Sequence, residues 1–312
     1  WDSATNLDDG TLQSPTFSGT ITETLTVTGT DVNGCLNADD ITITVNPLPI
    51  VDAGQDEVIC AGQSVQLQAS GGSSYSWSPT MNMNNYAVSN PTFSGLSTTI
   101  YTITSTDANG CTDTDYITVT VNTALPVDAG IDSTICDGAT IQLNATGAFS
   151  YVWSPAGGLD NSSIANPIFS GSNSTTHTVT GTDANGCTNT DDVSITVNPL
   201  PNVDAGLDDV ICFGETALLT GTGATDYSWT PVANLDDATL VSPIFSGTET
   251  TLLTLVGTDN NGCVNTDDVT VTVNPIPIVD AGTDDAICVG DISQLQASGG
   301  VSYSWTPTTD LD

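Results

Sequence analysis

Tryptophan recurs in this chain at a fixed interval: Trp1, Trp77, Trp153, Trp229 and Trp305 are evenly spaced, with a period of 76. The eight cysteines keep the same interval in two columns, Cys35, Cys111, Cys187 and Cys263, and Cys60, Cys136, Cys212 and Cys288. No insertion or deletion interrupts either column. A self-similar period of this length is longer than a solenoid coil and shorter than most enzymes, and it points to small complete modules in tandem. The expected division is a C-terminal part of a repeat at 1–46, whole repeats at 47–122, 123–198 and 199–274, and an N-terminal part of a repeat at 275–312. The chain therefore reads as a window on a longer array. A repeat length held this constant keeps a constant step along an axis, which is a requirement of rods and filaments more than of catalysts.

Charge narrows the partners. The chain has no Lys and no Arg against 37 Asp plus Glu and a single His, for a formal charge of -37. Nucleic acid and anionic membrane surfaces are excluded as expected partners, because both need basic side chains to displace counterions. No carboxylate can meet a Lys or Arg, so the charge must be balanced by solvent ions or bound metal.

Paired cysteine columns at fixed spacing imply disulfides and an oxidising, extracellular setting. A structural zinc site is disfavoured, since neither column supplies a C-x-x-C or His partner. No stretch approaches the roughly 18 apolar residues of a membrane helix. The segment is expected to be secreted, with no membrane insertion of its own.

Within the repeat that begins near Val51, VDAGQDEVIC is extended and SVQLQA alternates apolar Val65, Leu67 and Ala69 with polar residues, as a half-buried strand does. Tyr75-Ser76-Trp77 follows on a third strand that Pro79 ends, and PTFSG turns Phe93 inward. Ile100–Thr106 and Ile117–Val121 are the last strands, joined by DANGC, whose Asn109-Gly110 is a strong hairpin signal. Helical periodicity is absent. About seven short strands with a Trp on the third predict an all-β fold, a tandem array of immunoglobulin-like Greek-key β-sandwiches. The linkers Asn46-Pro47-Leu48-Pro49, Asn198-Pro199-Leu200-Pro201 and Asn274-Pro275-Ile276-Pro277 are proline-rich and semi-rigid, whereas Asn122-Thr123-Ala124-Leu125-Pro126 departs from the pattern. Strands of about ten residues at roughly 3.3 Å each give a module about 35 to 40 Å long.

The strings VDAGxDxxIC, SYSW, TDANGC and DxxVTVTVNP resemble the PKD-like and immunoglobulin-like repeats of giant secreted Bacteroidetes surface proteins, of which gliding adhesins and type 9 secretion cargo are the best-known members. The resemblance spans the whole chain. It implies a β-sandwich, export to the cell surface and a structural or adhesive role, without implying any one ligand. The WDFGDG signature of standard PKD domains is missing, since Ser78-Pro79 follows Trp77.

Two cysteine pairings are open. In an immunoglobulin-type module Cys60, beside the first turn, lies at the distal pole and Cys111, after the last hairpin, at the proximal pole, about 30 Å away at the rise of an extended strand. A disulfide tolerates less than about 7 Å between Cα atoms. Cys60 with Cys187, and Cys136 with Cys263, would then staple successive modules. The alternative keeps Cys60 with Cys111 and Cys136 with Cys187 inside modules.

Acidic columns gather, on this topology, at the same proximal pole: Asp52, Asp128 and Asp204; Asp56, Asp132 and Asp208; Asp107, Asp183 and Asp259; Asp115, Asp191 and Asp267. Several carboxylates with backbone carbonyls at a junction suit Ca²⁺, which takes 6 to 8 oxygen ligands. The competing reading is that Asp before Asn-Gly forms a turn and Asp near a strand start caps it. His177 falls in a column filled elsewhere by Leu25, Tyr101 and Leu253, which marks a substituted strand position. Adjacent Asp236 and Asp237 would point to opposite faces and make no glycosidase pair. No nucleophile, base and orienter assemble from this inventory, so the chain is expected not to be an enzyme. The sequence predicts a structural rod or filament with an adhesive or spacer role, whose partners are neighbouring repeats, identical chains and a surface glycan or protein receptor. The alternative is a carbohydrate-binding array of a secreted enzyme, and an exposed column of aromatics would favour it.

Overall fold

The computed structural model describes residues 1 and 4–307 of the chain, so the end of the last partial repeat lies outside the described residues. Three complete modules have the same six strands. In residues 47–122 these are β3 (Glu57–Cys60), β4 (Val65–Gln66), β5 (Ser74–Ser78), β6 (Thr92–Phe93), β7 (Thr99–Thr106) and β8 (Thr112–Asn122); the hairpin β1 (Glu23–Thr30) and β2 (Leu36–Ile43) precedes them. Residues 123–198 carry β9 (Ser133–Cys136), β10 (Ile141–Gln142), β11 (Ser150–Ser154), β12 (Ile168–Phe169), β13 (Thr175–Thr182) and β14 (Thr188–Asn198). Residues 199–274 carry β15 (Asp209–Cys212), β16 (Ala217–Leu218), β17 (Asp226–Thr230), β18 (Ile244–Phe245), β19 (Thr251–Thr258) and β20 (Val264–Asn274).

Each module is a sandwich of a four-stranded sheet, in the order β3-β8-β7-β5, and a two-stranded sheet, β4-β6. The first strand runs parallel to the last, with Glu57 opposite Val119 and Cys60 opposite Asn122; all other pairs are antiparallel. Period-two patterning explains the core. Tyr101, Ile103 and Ser105 of β7 and Ile117 and Val119 of β8 are buried while Ile100 and Tyr116 face out, as alternate residues of a strand must. Trp77 and Phe93 complete this core, with Trp153 and Phe169, and Trp229 and Phe245, in the next two. Each indole N–H reaches a carbonyl eleven residues on, that of Val88, Ile164 or Leu240, at 2.9–3.0 Å.

Six strands stand where about seven were expected, and proline shortens two of them. The ladder β4-β6 stops after two pairs: Leu67 donates to the Pro91 carbonyl at 2.9 Å, but Pro91 has no N–H to return. The extended stretch before β3 joins the fold through one bridge, Asp52 with Ser70, and not through a ladder. Trp1 is half-buried, unlike its three counterparts in the complete modules, because residues 1–46 hold no equivalent of β3 and β4 to cover it.

Candidate functional site

The chemistry-bearing residues collect at the two poles of each module, and the poles are built by hydrogen bonds the sequence motifs encode. At the proximal pole the TDANGC turn folds on its Asp: Asp183 Oδ1 accepts from the N–H of Asn185 at 2.8 Å and of Cys187 at 2.9 Å, while the Asp183 N–H donates to the Cys187 carbonyl at 2.9 Å. Gly186 sits at φ 83°, where a side chain would be strained. The turn therefore presents Cys187 immediately before β14. The same bonds form around Asp107 and Asp259. In both, chiefly the N–H of the following Cys lowers the carboxyl pKa from its ordinary 3.8.

The incoming linker lies at this pole as well. Asn189 Nδ2 donates to the Leu125 carbonyl at 3.3 Å, and Asn265 Nδ2 to the Pro201 carbonyl at 2.9 Å. Gly71, at φ 97°, packs against the Ile50 backbone so closely that a Cβ would lie 1.8 Å from the Ile50 oxygen. The neighbouring Ser73 N–H donates to the Thr106 carbonyl at the hairpin end, at 2.7 Å.

At the distal pole the first strand ends in Cys beside the last residue of the last strand. Cys60 is opposite Asn122, Cys136 opposite Asn198 and Cys212 opposite Asn274. The next N–H in each case, of Ala61, Asp137 and Phe213, donates to that Asn carbonyl at 2.8 Å. Sequence reasoning gave these asparagines no role beyond opening the linker; their recurrence beside each Cys column was the available signal.

The structure joins consecutive modules through these poles. Cys60 is bonded to Cys187 and Cys136 to Cys263, each with Cα atoms 5.5 Å apart and a sequence separation of 127. Cys187 and Cys263 are buried, whereas Cys35, Cys111, Cys212 and Cys288 are free thiols. For each of these four, a partner at the same separation and in the same direction would fall outside residues 1–312. Cys111 Sγ nevertheless lies 4.0 Å from the Asn46 carbonyl oxygen, as Cys187 Sγ lies 3.9 Å from that of Asn122, so the first junction has the same approach without the bond.

The acidic columns are placed singly, each against backbone. Asp115, Asp191 and Asp267 offer Oδ2 to the N–H of Ala53, Ala129 and Ala205 at 2.8 Å. Asp56, Asp132 and Asp208 offer Oδ1 to the N–H of Thr118, Ser194 and Thr270 at 2.8 Å. Asp52, Asp128 and Asp204 each accept from the glycine two residues on, Gly54, Gly130 and Gly206, at 2.8 Å. The Asp56 and Asp115 columns thus lace the extended first segment to the last strand where no ladder joins them, and Asp56 reaches a point three residues further along that strand than Asp115. Among the described residues no group of three or more His, Cys, Asp or Glu is placed to hold a metal ion. Each of these carboxylates already accepts from a backbone N–H.

His177 is fully buried, edge-on to Phe169 with ring centroids 5.4 Å apart, in the position Tyr101 takes against Phe93. Its Nδ1 is 2.8 Å from the Pro155 carbonyl, which requires the proton on that nitrogen, and Nε2 has no partner. Asp236 and Asp237 cap the N–H of Ile244 and Thr239 respectively, at 2.7 and 2.9 Å. Tyr86, Tyr116, Phe149, Phe213 and Tyr303 are the exposed aromatics among the described residues; the first four fall in columns with no other aromatic, and the column of Tyr303 is half-buried in the complete modules, at Tyr75, Tyr151 and Tyr227.

No family model and no curated protein matches this chain. Its fold is similar to solved tandem immunoglobulin structures. A Ca²⁺-stabilized adhesin with which an Antarctic bacterium reaches out and binds ice is 15% identical with a TM-score of 0.31, over 80% of this chain and 81% of that one. The N-terminal eight immunoglobulin domains of Down Syndrome Cell Adhesion Molecule give 12% identity and a TM-score of 0.38, over 80% of this chain and 43% of that one. The I9–I11 tandem of titin gives 12% and 0.31, over 73% and 100%. By its own strand order and pairing the chain is an all-β array of immunoglobulin-like sandwiches.

Proposed function

We propose that this chain is a stretch of an extracellular structural repeat protein, a rod or filament at a bacterial cell surface that spaces or carries an adhesive function. The observation that carries the reading is the pair of disulfides between modules, Cys60 with Cys187 and Cys136 with Cys263. Such bonds persist in oxidising compartments, and they fix each module to its neighbour. The absence of Lys and Arg suits a solvated, self-repelling surface. The resemblance of the repeat motifs to those of large secreted Bacteroidetes proteins supports the same reading. Neighbouring repeats, identical chains and a surface protein or glycan receptor are the proposed partners, and no catalytic role is proposed.

A carbohydrate-binding array is the weaker reading. The recurring Trp is core in every complete module, and within those modules the exposed aromatics do not recur. Calcium enters the proposal as one of the solution cations that offset the charge along the Asp columns, held diffusely and not in a cage. Small-angle scattering of the oxidised chain tests the rod. An extended particle growing by about 35 to 40 Å per module is expected. A compact particle would overturn it. Calorimetry with Ca²⁺ at low ionic strength tests the diffuse ions: no saturable heat is expected, and a stoichiometric one would return calcium to discrete junction sites.

A further inference from the structure

We propose that the disulfides make this array inextensible, because they join its parallel strands into two covalent tracks that cross every module from pole to pole without passing through the rest of the sandwich. The inference rests on the structural reading above for its use, and on the topology alone for its mechanics.

The first track enters with the segment 47–60, which ends in β3, and passes through the disulfide to Cys187 at the proximal pole of the next module. It then follows β14 from Thr188 to Asn198, continues along the peptide linker, and crosses the third module by the segment that ends in β15 at Cys212. The second track is its complement. It takes β8 through the first module, the peptide linker into the segment ending in β9, the disulfide from Cys136 to Cys263, and β20 through the third. Each junction is therefore crossed twice, once by peptide and once by disulfide, and each track alternates between them. The parallel pairing makes this possible, since it brings Cys136 and Asn198 side by side at one pole with their chains running the same way. Each track leaves at the distal pole, and the TDANGC turn sets the receiving Cys directly ahead of an outgoing strand.

The mechanical consequence follows from length. β14 has 11 residues; at strand rise it spans about 36 Å, and drawn out fully at most about 40 Å. A track made of strands is already close to its covalent limit. In the same chain without disulfides, tension would enter the middle module at residue 123 and leave at residue 198. It would then shear the four-pair parallel ladder between β9 and β14 and release the whole module. With the disulfides, tension runs along β14 itself, and loss of the other strands adds no length.

The test is force spectroscopy on the intact chain, held at Leu48 and Phe213, both exposed side chains at the two ends of the first track. Leu48→p-azidophenylalanine and Phe213→p-azidophenylalanine give handles that leave every cysteine untouched. Of the covalent paths between the handles, the long one that alone survives reduction follows the whole polypeptide between them, and the shortest one in the oxidised chain passes through the Cys60–Cys187 bond. At about 3.6 Å per residue the long path has a contour of roughly 590 Å and the short path one of roughly 140 Å. The oxidised chain should yield no more than a few tens of Å before the covalent limit. The reduced chain should yield roughly 450 Å more, in steps, this being the difference between the two contours at full extension. A Cys60→Ser, Cys187→Ser double variant should extend without reductant, and Cys136→Ser should stay short between these handles. Stepwise lengthening of the oxidised chain by roughly 230 Å, the contour that one released module adds beyond its folded length, would overturn the proposal, as would equal contours in both redox states. Antibody labelling of intact cells addresses the cell-surface reading separately: its failure would leave the force curves standing, and an extensible oxidised chain would leave surface display standing.

Discussion

Replacing Asp191 separates a structural carboxylate from a metal ligand. Its Oδ2 accepts the N–H of Ala129 at 2.8 Å, and Ala129 is only 1% exposed. In Asp191→Ala that buried N–H loses its acceptor, a penalty of about 1–3 kcal/mol. Asp191 is itself half-exposed, so water recovers part of the loss and the lower half of the range, about 1–2 kcal/mol, is the better expectation. Asp191→Asn keeps an oxygen in place and gives up only the charge, which should cost about half as much. Because three alike modules should have similar midpoints that one transition would blur, the measurement should be local. Amide exchange at Ala129 should accelerate about 5- to 30-fold in Asp191→Ala. Ala53 and Ala205, held by Asp115 and Asp267 in the flanking modules, serve as internal references and should not change. The result should be the same with calcium or chelator present. Unchanged exchange at Ala129, or acceleration only in the presence of calcium, would refute a capping role.

Trp153→Ala should destabilise the middle module by about 3–5 kcal/mol, since the indole is fully enclosed and its N–H is bonded to Ile164; denaturant unfolding resolved by module checks it. A non-reduced digest should contain a peptide joining Cys60 to Cys187 and none joining Cys60 to Cys111, by mass spectrometry. His177→Leu, the residue at the equivalent Leu253, removes the unpartnered Nε2 and should raise stability by about 1 kcal/mol in a thermal scan. Asp107 and Asp259 have folded pKa values depressed below 3.8, chiefly by the N–H of Cys111 and Cys263. A depressed carboxyl contributes stability that is present above its unfolded pKa and lost as pH falls through the folded one. Amides of the two hairpin turns should therefore loosen below about pH 4, and turns equally protected at pH 2 and pH 6 would contradict this.

How much of this was legible follows from what repeats in one dimension. The fixed interval of Trp and Cys, the Asn-Gly turns and the period-two strands carry the modules, the core and the poles, because each is a local pattern. What the Asp columns bond to was not legible. Asp115 and Ala53 are far apart in the chain, as are Asp56 and Thr118, and nothing in the spacing of one column says that its carboxylate ends on the backbone of another strand. The expected topology brought the acids to one pole, but it did not say what each of them bonds to. The length of β4 was overestimated for a related reason: SVQLQA has the right alternation, but its ladder depends on whether the facing residue can donate, and Pro91 cannot.

The two tracks explain constant length only over the segments they use, 123–136 and 187–198 in the middle module. A one-residue insertion there would turn every later side chain to the wrong face and swing the Cys away from its partner. An insertion in the loop after Trp153 would leave both tracks intact, so its unvarying length needs another cause. That loop is tied twice to fixed offsets. The indole N–H of Trp77, Trp153 and Trp229 is held by the carbonyl eleven residues on. The side chain of Asn84, Asp160 or Asp236 accepts the N–H eight residues on, of Thr92, Ile168 or Ile244. The pattern persists outside the complete modules, where Trp1 donates to Leu12 and Asp8 accepts from Thr16. A longer loop would have to break the indole bond or the cap, and with it the closure of the core over Trp. Covalent continuity fixes one part of the repeat length, and satisfaction of a buried indole fixes the other.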